Sequence, residues 1–210
     1  MRKLSAKERT ADSIIHIMGV AAGSIAVVIM LVAAALSLPA PSTASLAVYG
    51  AAMLAMLGCS AAYHMAALPA RKRVLQRFDH AAIFFKIAGT YTPFVIVKMG
   101  SLAGFALLSA VWAVALLGAG AKLLLASSWD RIAVVLYLTL GWAGVVMFQP
   151  LAASVPLGAL VLLGLGGGLY SLGVVFHLWT GLPYQTAVWH GFVLAGTACH
   201  FGAVTGAVFA

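Results

Sequence analysis

Long apolar runs recur along the chain, separated by short clusters of basic, small polar or proline-containing sequence. A helix crossing a hydrocarbon core of roughly 30 Å uses about 20 residues, and the runs accommodate seven such crossings. The first is predicted over residues 12–38, closed by Pro39 and Pro41, and the second over 44–67, stopping before Pro69. The third spans 78–98, and a tight Met99-Gly100-Ser101 exit leads into a fourth that runs to about residue 125. Ser127, Ser128 and Asp130 offer N-caps for the fifth, which ends near Gln149 and Pro150. The sixth covers 156–178, and the seventh begins near Tyr184 and continues to the last residue. The pattern thus predicts an all-α polytopic membrane protein, a seven-transmembrane-helix bundle. Residues 1–11 form a basic tail and 12–210 the transmembrane domain, with no internal repeat and no low-complexity segment.

Composition supports the bilayer over a soluble core. Hydrophobic residues make up 64% of the 210 positions and charged ones only 8%, against about 25% charged in soluble domains; mean hydropathy is +1.09. The crossings leave no segment long enough for a separate soluble domain. The first apolar run is longer than the h-region of a removable signal peptide and has no clear cleavage site, so it is expected to remain as the first helix. Cys59 and Cys199 both fall within apolar runs, where a lone thiol acts as a small hydrophobe.

The formal charge of +8 is better explained by orientation than by nucleic-acid binding, since no basic domain stands apart from the spans. Arg2, Lys3, Lys7, Arg9, Arg71, Lys72, Arg73, Arg77, Lys122 and Arg131 flank one side of the predicted bundle, and Lys98 alone the other. The positive-inside rule then places the N-terminus in the cytoplasm, and an odd number of crossings places the C-terminus outside. The expected location is the inner (plasma) membrane, with multiple passes.

Ionisable groups inside a bilayer are costly and tend to face the bundle interior, find partners and mark function. His64 at the end of the second helix, Asp79 at the opening of the third and His190 at the opening of the seventh fall at one depth near the cytoplasmic face. Imidazole and carboxylate are zinc ligands, so His64, His190 and Asp79 are the expected metal site. Ser60 lies one turn before His64 and Thr186 one turn before His190, each on its ligand's helix face. Such hydroxyls serve equally in ordinary helix packing. His16, His80 and His177 read as interfacial histidines hydrogen-bonded to carbonyls or headgroups. His200 lies about 15 Å further along the seventh helix than His190.

Lys86, almost two turns beyond Asp79 on the same helix face, reads either as a buried counter-ion or as a snorkelling side chain. The run Gly89-Thr90-Tyr91-Thr92-Pro93 should kink the third helix, because Pro93 has no N–H for the Gly89 carbonyl. Gly164, Gly166, Gly167 and Gly168 permit close helix approach in the sixth.

Three stretches in order carry a family resemblance: Ser60-Ala-Ala-Tyr-His64, DHAAIFFKIAGTYTPF from Asp79 to Phe94, and WHGFVLAGTACHFGAV from Trp189 to Val204. Together they resemble the haemolysin III family, within the superfamily of progestin and adipoQ receptors that includes the adiponectin receptors. The resemblance spans almost the whole chain. It implies seven helices, a cytoplasmic N-terminus and a zinc ion near the cytoplasmic face, held by one histidine of the second helix and two of the seventh. Those positions are here His64, Thr186 and His190, so one of the three histidines is replaced by Thr186; Asp79 could complete the site directly or through water.

The resemblance further implies a zinc-dependent membrane amidohydrolase acting on ceramide-like lipid amides. In that chemistry Asp79 would orient or deprotonate the attacking water and Ser60 would help hold the oxyanion, making these two the expected catalytic residues. The substrate would be a membrane lipid or lipid-like molecule arriving laterally. The alternatives are a membrane-permeabilising haemolysin or pore former, and a non-catalytic lipid sensor or receptor. The sequence offers no alternating strands for a β-barrel pore, and the short loops name no protein partner.

Overall fold

The computed structural model describes residues 5–125 and 130–210. The expected caps Ser127 and Ser128, together with Arg2 and Lys3, lie outside the described residues, as does the side chain of Arg131. Among the described residues the chain is all helical: α1 (Ala6–Ser37), α2 (Ala40–Met65), α3 (Pro69–Pro93), α4 (Leu102–Leu124), α5 (Asp130–Trp142), α6 (Phe148–Ser154), α7 (Leu157–Leu178) and α8 (Gln185–Val208). Helix α3 runs on as a π-helix over Phe94–Met99, and a 3-10 turn over Ala143–Met147 joins α5 to α6 into one crossing. Among the described residues seven helices are long and apolar enough to span a membrane, and the protein is a multi-pass membrane protein.

Four boundaries differ from the sequence expectation, each for a local reason. Helix α1 starts at Ala6 rather than residue 12, because Ser5 and Glu8 form a capping box: the Glu8 N–H donates to the Ser5 hydroxyl at 3.2 Å and the Ser5 N–H to Glu8 Oε2 at 2.7 Å. Helix α2 starts at Ala40 rather than residue 44, with Pro39 as its N-cap and Pro41 in a first turn that needs no donor. Helix α3 starts at Pro69, where proline's missing N–H costs nothing. Arg71, Lys72, Arg73 and Arg77 therefore ride on its first turns instead of forming a connecting loop. The fifth crossing continues past Pro150 to Ser154, because winding restarts at Phe148 and Pro150 falls in a first turn that needs no donor.

The proline in α3 acts where expected, by altering the winding. With Gly89's carbonyl deprived of its donor, the chain relaxes into π geometry over Phe94–Met99. It stops at Gly100, which donates to the Val95 carbonyl at 3.0 Å with φ +38. Tyr91 stabilises the 3-10 break opposite: its hydroxyl faces the Leu140 and Gly141 carbonyls at 2.9 Å each and accepts the Gly144 N–H at 2.8 Å.

Helix α3 is the central element, with 61% of its most apolar window buried against 11–39% for the others. It packs between α2 and α4, while α1 packs on α2 and α8, and α7 on α8. Gly89 allows the α2–α3 approach, since a Cβ there would stand 2.8 Å from that of Ala52. One apolar cluster, with Val27, Met30, Leu46, Tyr49, Met53 and Val204, joins α1, α2 and α8. A second, around Phe84, Val111 and Leu140, joins α3, α4 and α5. Large aliphatics such as Leu36, Leu102, Leu117 and Val146 point outward, the arrangement a lipid solvent favours.

Candidate metal centre and cavity

Glu8 sets the geometry at one end of the bundle. Besides capping α1, its Oε1 accepts the N–H of Tyr184 at 2.9 Å, and Tyr184, in the left-handed region at φ +57, is the residue from which α8 starts. The starts of α1 and α8 are thereby tied together. Asp12 and His16 follow Glu8 at successive four-residue intervals, so all three share one face of α1, and all three are buried.

That face meets His64 of α2 and His190 of α8. Asp12, His16, His64 and His190 each offer one ligand atom, and the four atoms lie within 4.8 Å of one another. His190 Nδ1 and Asp12 Oδ1 are 2.6 Å apart, a charge-assisted hydrogen bond. The other carboxylate oxygen lies 3.5 Å from His64 Nδ1 and 3.6 Å from His16 Nε2. The rings crowd together, with centroids 4.3 Å apart for His16 and His190, 4.3 Å for His64 and His190, and 5.1 Å for His16 and His64.

Two of these separations suit a shared metal better than hydrogen bonds. Around a tetrahedral ion with bonds of about 2.0–2.1 Å, neighbouring donors stand about 3.3 Å apart. The Asp12 to His64 and Asp12 to His16 distances are close to that and too long for hydrogen bonds. His16 Nε2 is buried and has no hydrogen-bond partner, an arrangement that desolvation penalises unless something occupies the place it faces. The four residues therefore form a group that could hold a metal ion.

The centre opens onto a cavity of about 1260 Å³, larger than the roughly 300–1,000 Å³ of an ordinary small-molecule pocket. Ser60, Asp79, Thr186, His16, His64 and His190 all line it. Asp79 is buried on α3 and, like Ser60, lines the cavity. It is not among the four clustered ligands.

The remaining histidines disperse. His80 Nδ1 is 3.5 Å from Asp130 Oδ1, which also receives Lys122 at 2.6 Å. The His177 ring packs on Trp189 with centroids 5.0 Å apart. His200 sits deeper against Tyr170, its ring too tightly packed on Gly166 to leave room for a Cβ there.

His16 corrects the sequence expectation of an interfacial residue bonded to a carbonyl or headgroup. Because α1 begins at Ala6, His16 is ten residues inside it, about 15 Å from its start rather than at its end. Asp12, expected at the helix start, likewise sits six residues in. The signal available was the Glu8, Asp12, His16 stripe, three polar groups at four-residue spacing leading into an apolar helix.

Comparison with known proteins agrees with this architecture. The family described as Haemolysin-III related matches residues 4–201. The chain is similar to the Hemolysin-3 homolog of Bacillus subtilis (strain 168), 36% identical over 195 residues that cover 93% of this chain and 92% of that protein. It is also similar to Hemolysin-3 of Bacillus cereus, 33% identical over 195 residues, 93% of this chain and 89% of that protein. The Monocyte to macrophage differentiation factor of Homo sapiens is 28% identical over 167 residues, 75% of this chain and 67% of that protein. No solved structure matches the chain. With a match across nearly its full length and the seven helices in place, the chain belongs to the Haemolysin-III related family.

Proposed function

We propose that this protein is a zinc-dependent hydrolase of lipid amides, ceramide-like in chemistry, working where α1, α2 and α8 converge on the cavity. The observation that carries the reading is the orphaned His16 Nε2 beside His64, His190 and Asp12. His16, His64 and His190 would hold the ion and leave a fourth position for water, with Asp12 hydrogen-bonded to His190 beside them, so that α1 supplies the ligand that Thr186 lacks. When bound, zinc supplies Lewis acidity and a water of near-neutral pKa. Asp79 would take the proton from water as it adds to the amide carbonyl and return it to the departing amine nitrogen as the C–N bond breaks, with the Ser60 hydroxyl placed on the same cavity wall to hold the oxyanion. The apolar cavity receives the acyl chain and keeps bulk water away.

Orientation belongs to the same reading. Arg9, Arg71, Lys72, Arg73, Arg77 and Lys122 sit near the start of α1, the start of α3 and the end of α4, ends that share one side of an antiparallel bundle. Placing that side in the cytoplasm of a plasma-membrane protein puts the centre near the cytoplasmic face.

The test is zinc content by mass spectrometry on detergent-purified protein, followed by cleavage of a fluorescent short-chain ceramide before and after chelation. About one zinc per chain, lost in His64→Ala and His190→Ala, with amide cleavage lost in Asp79→Asn while zinc is retained, supports the reading. A well-folded wild type without zinc overturns it. Membrane permeabilisation is the second reading, favoured by the 33% identity to a Bacillus cereus protein named Hemolysin-3. Red-cell lysis undiminished in His64→Ala would show that permeabilisation proceeds without the metal centre.

A further inference from the structure

Lys86 lies near the middle of the third crossing, 3% exposed and lining the cavity. Its ammonium donates to the Thr90 hydroxyl at 2.9 Å and stands 5.1 Å from the centroid of the Tyr49 ring. A hydroxyl and an aromatic face solvate a cation only in part, and a cation at membrane depth ordinarily finds an anion. The chain has four acidic side chains in all, and none pairs with Lys86. Glu8 caps α1 and holds Tyr184, Asp12 sits among the three histidines, and Asp130 binds Lys122. Asp79 is seven residues before Lys86, about 10 Å along the helix, and the bond to Thr90 draws the ammonium the other way.

The Tyr49 ring beside this cation belongs to the packed apolar cluster of α1, α2 and α8, and its own hydroxyl has no hydrogen-bond partner. One positive charge at the wall of a large, mostly apolar cavity defines what the missing partner must be. It carries one negative charge, since a phosphate dianion would leave charge unmatched in the hydrocarbon, and it brings an apolar chain.

We propose that Lys86 is the anchor of an anion subsite that binds the carboxylate of a long-chain amphiphile, with the chain lying in the cavity. The subsite is separate from the metal centre and does not depend on zinc. Lys86 supplies the charge, Thr90 fixes the ammonium, and the Tyr49 ring lies against it.

The test uses full-length protein in a neutral maltoside detergent with 11-(dansylamino)undecanoic acid as fluorescent probe. Displacement is measured with decanoate, decanol, decylammonium and decyl phosphate. The expected result is saturable probe binding displaced by decanoate, at least tenfold less by decanol, decylammonium and decyl phosphate, and unchanged after chelator treatment of the wild type. Lys86→Met should weaken probe binding at least tenfold, and Lys86→Arg should retain it within a few-fold. Removing an unpaired buried charge should leave Lys86→Met at least as heat-stable as the wild type, with decanoate raising the melting temperature of the wild type only. Should the methionine variant fail to fold, Lys86→Gln carries the same expectation. Equal displacement by decanol and decanoate, undiminished binding in the folded Lys86 variants, or binding that vanishes on chelation would overturn the proposal, the last by moving the carboxylate to the metal. Displacement by decyl phosphate matching decanoate would overturn the carboxylate assignment in favour of a phosphate headgroup.

Discussion

Asp12→Asn separates the ligand set assembled in the fold from the one expected on motif grounds. The amide preserves size and shape but removes the negative charge that faces three imidazoles at 2.6, 3.5 and 3.6 Å. It also weakens the hydrogen bond that fixes the tautomer and orientation of His190, an arrangement common to metal-binding histidines. Loss of such an outer partner alone costs about 10- to 100-fold in metal affinity, which is about 1.4–2.7 kcal/mol at 1.36 kcal/mol per tenfold. Direct ligation by the carboxylate would add to that. The assay is competition for zinc against a chelator of known affinity, with metal content read by mass spectrometry. Asp79→Asn serves as comparison and is expected to keep its zinc, because Asp79 stands outside the four clustered donors. Wild-type affinity in Asp12→Asn, together with loss of zinc in Asp79→Asn, would refute the reasoning and return Asp79 to the metal.

Tyr91→Phe should destabilise the protein by about 1–3 kcal/mol, seen as a lower melting temperature in detergent, since the Gly144 N–H and two carbonyls at the 3-10 break lose their shared partner. Asp130 lies just outside the fifth apolar span. Burial pushes its carboxyl up, but the Lys122 ammonium at 2.6 Å outweighs this and holds it below the usual carboxylate range. A depressed folded-state pKa stabilises above the ordinary value near 4 and loses that contribution as pH falls through the folded value. Being half-exposed, the pair is worth only about 0–1 kcal/mol, so Asp130→Asn should melt slightly below wild type at pH 7 and with it in strongly acidic buffer. A reporter fused after Ala210 should read as outside the cytoplasm; a cytoplasmic signal would reverse the assigned orientation.

The seven crossings were legible because a bilayer imposes a length and a composition on each segment, and both can be read from one sequence. His64 and His190 were legible for a related reason: polar groups at one depth in an apolar chain are few, and few groups leave few combinations. The turn signals also acted where they stood, Pro93 ending regular α winding in α3 and Pro69 opening it. Helix ends were less legible, since the Ser5 and Glu8 capping box extends α1 through residues whose charge resembles a tail.

What only the tertiary structure decided is which helix faces which. Lateral packing in a membrane bundle depends on close approach between small residues and on a few buried polar bonds, and neither is periodic in sequence. Depth alone grouped His64 and His190 with Asp79. The Glu8 bond to Tyr184 instead holds α1 against α8, which brings Asp12 and His16 to the two histidines and leaves Asp79 outside the clustered donors. The same packing resolved Lys86, which sequence left open between counter-ion and snorkelling residue. It is buried and no acidic side chain pairs with it, because α3 packs between α2 and α4 at the centre of the bundle.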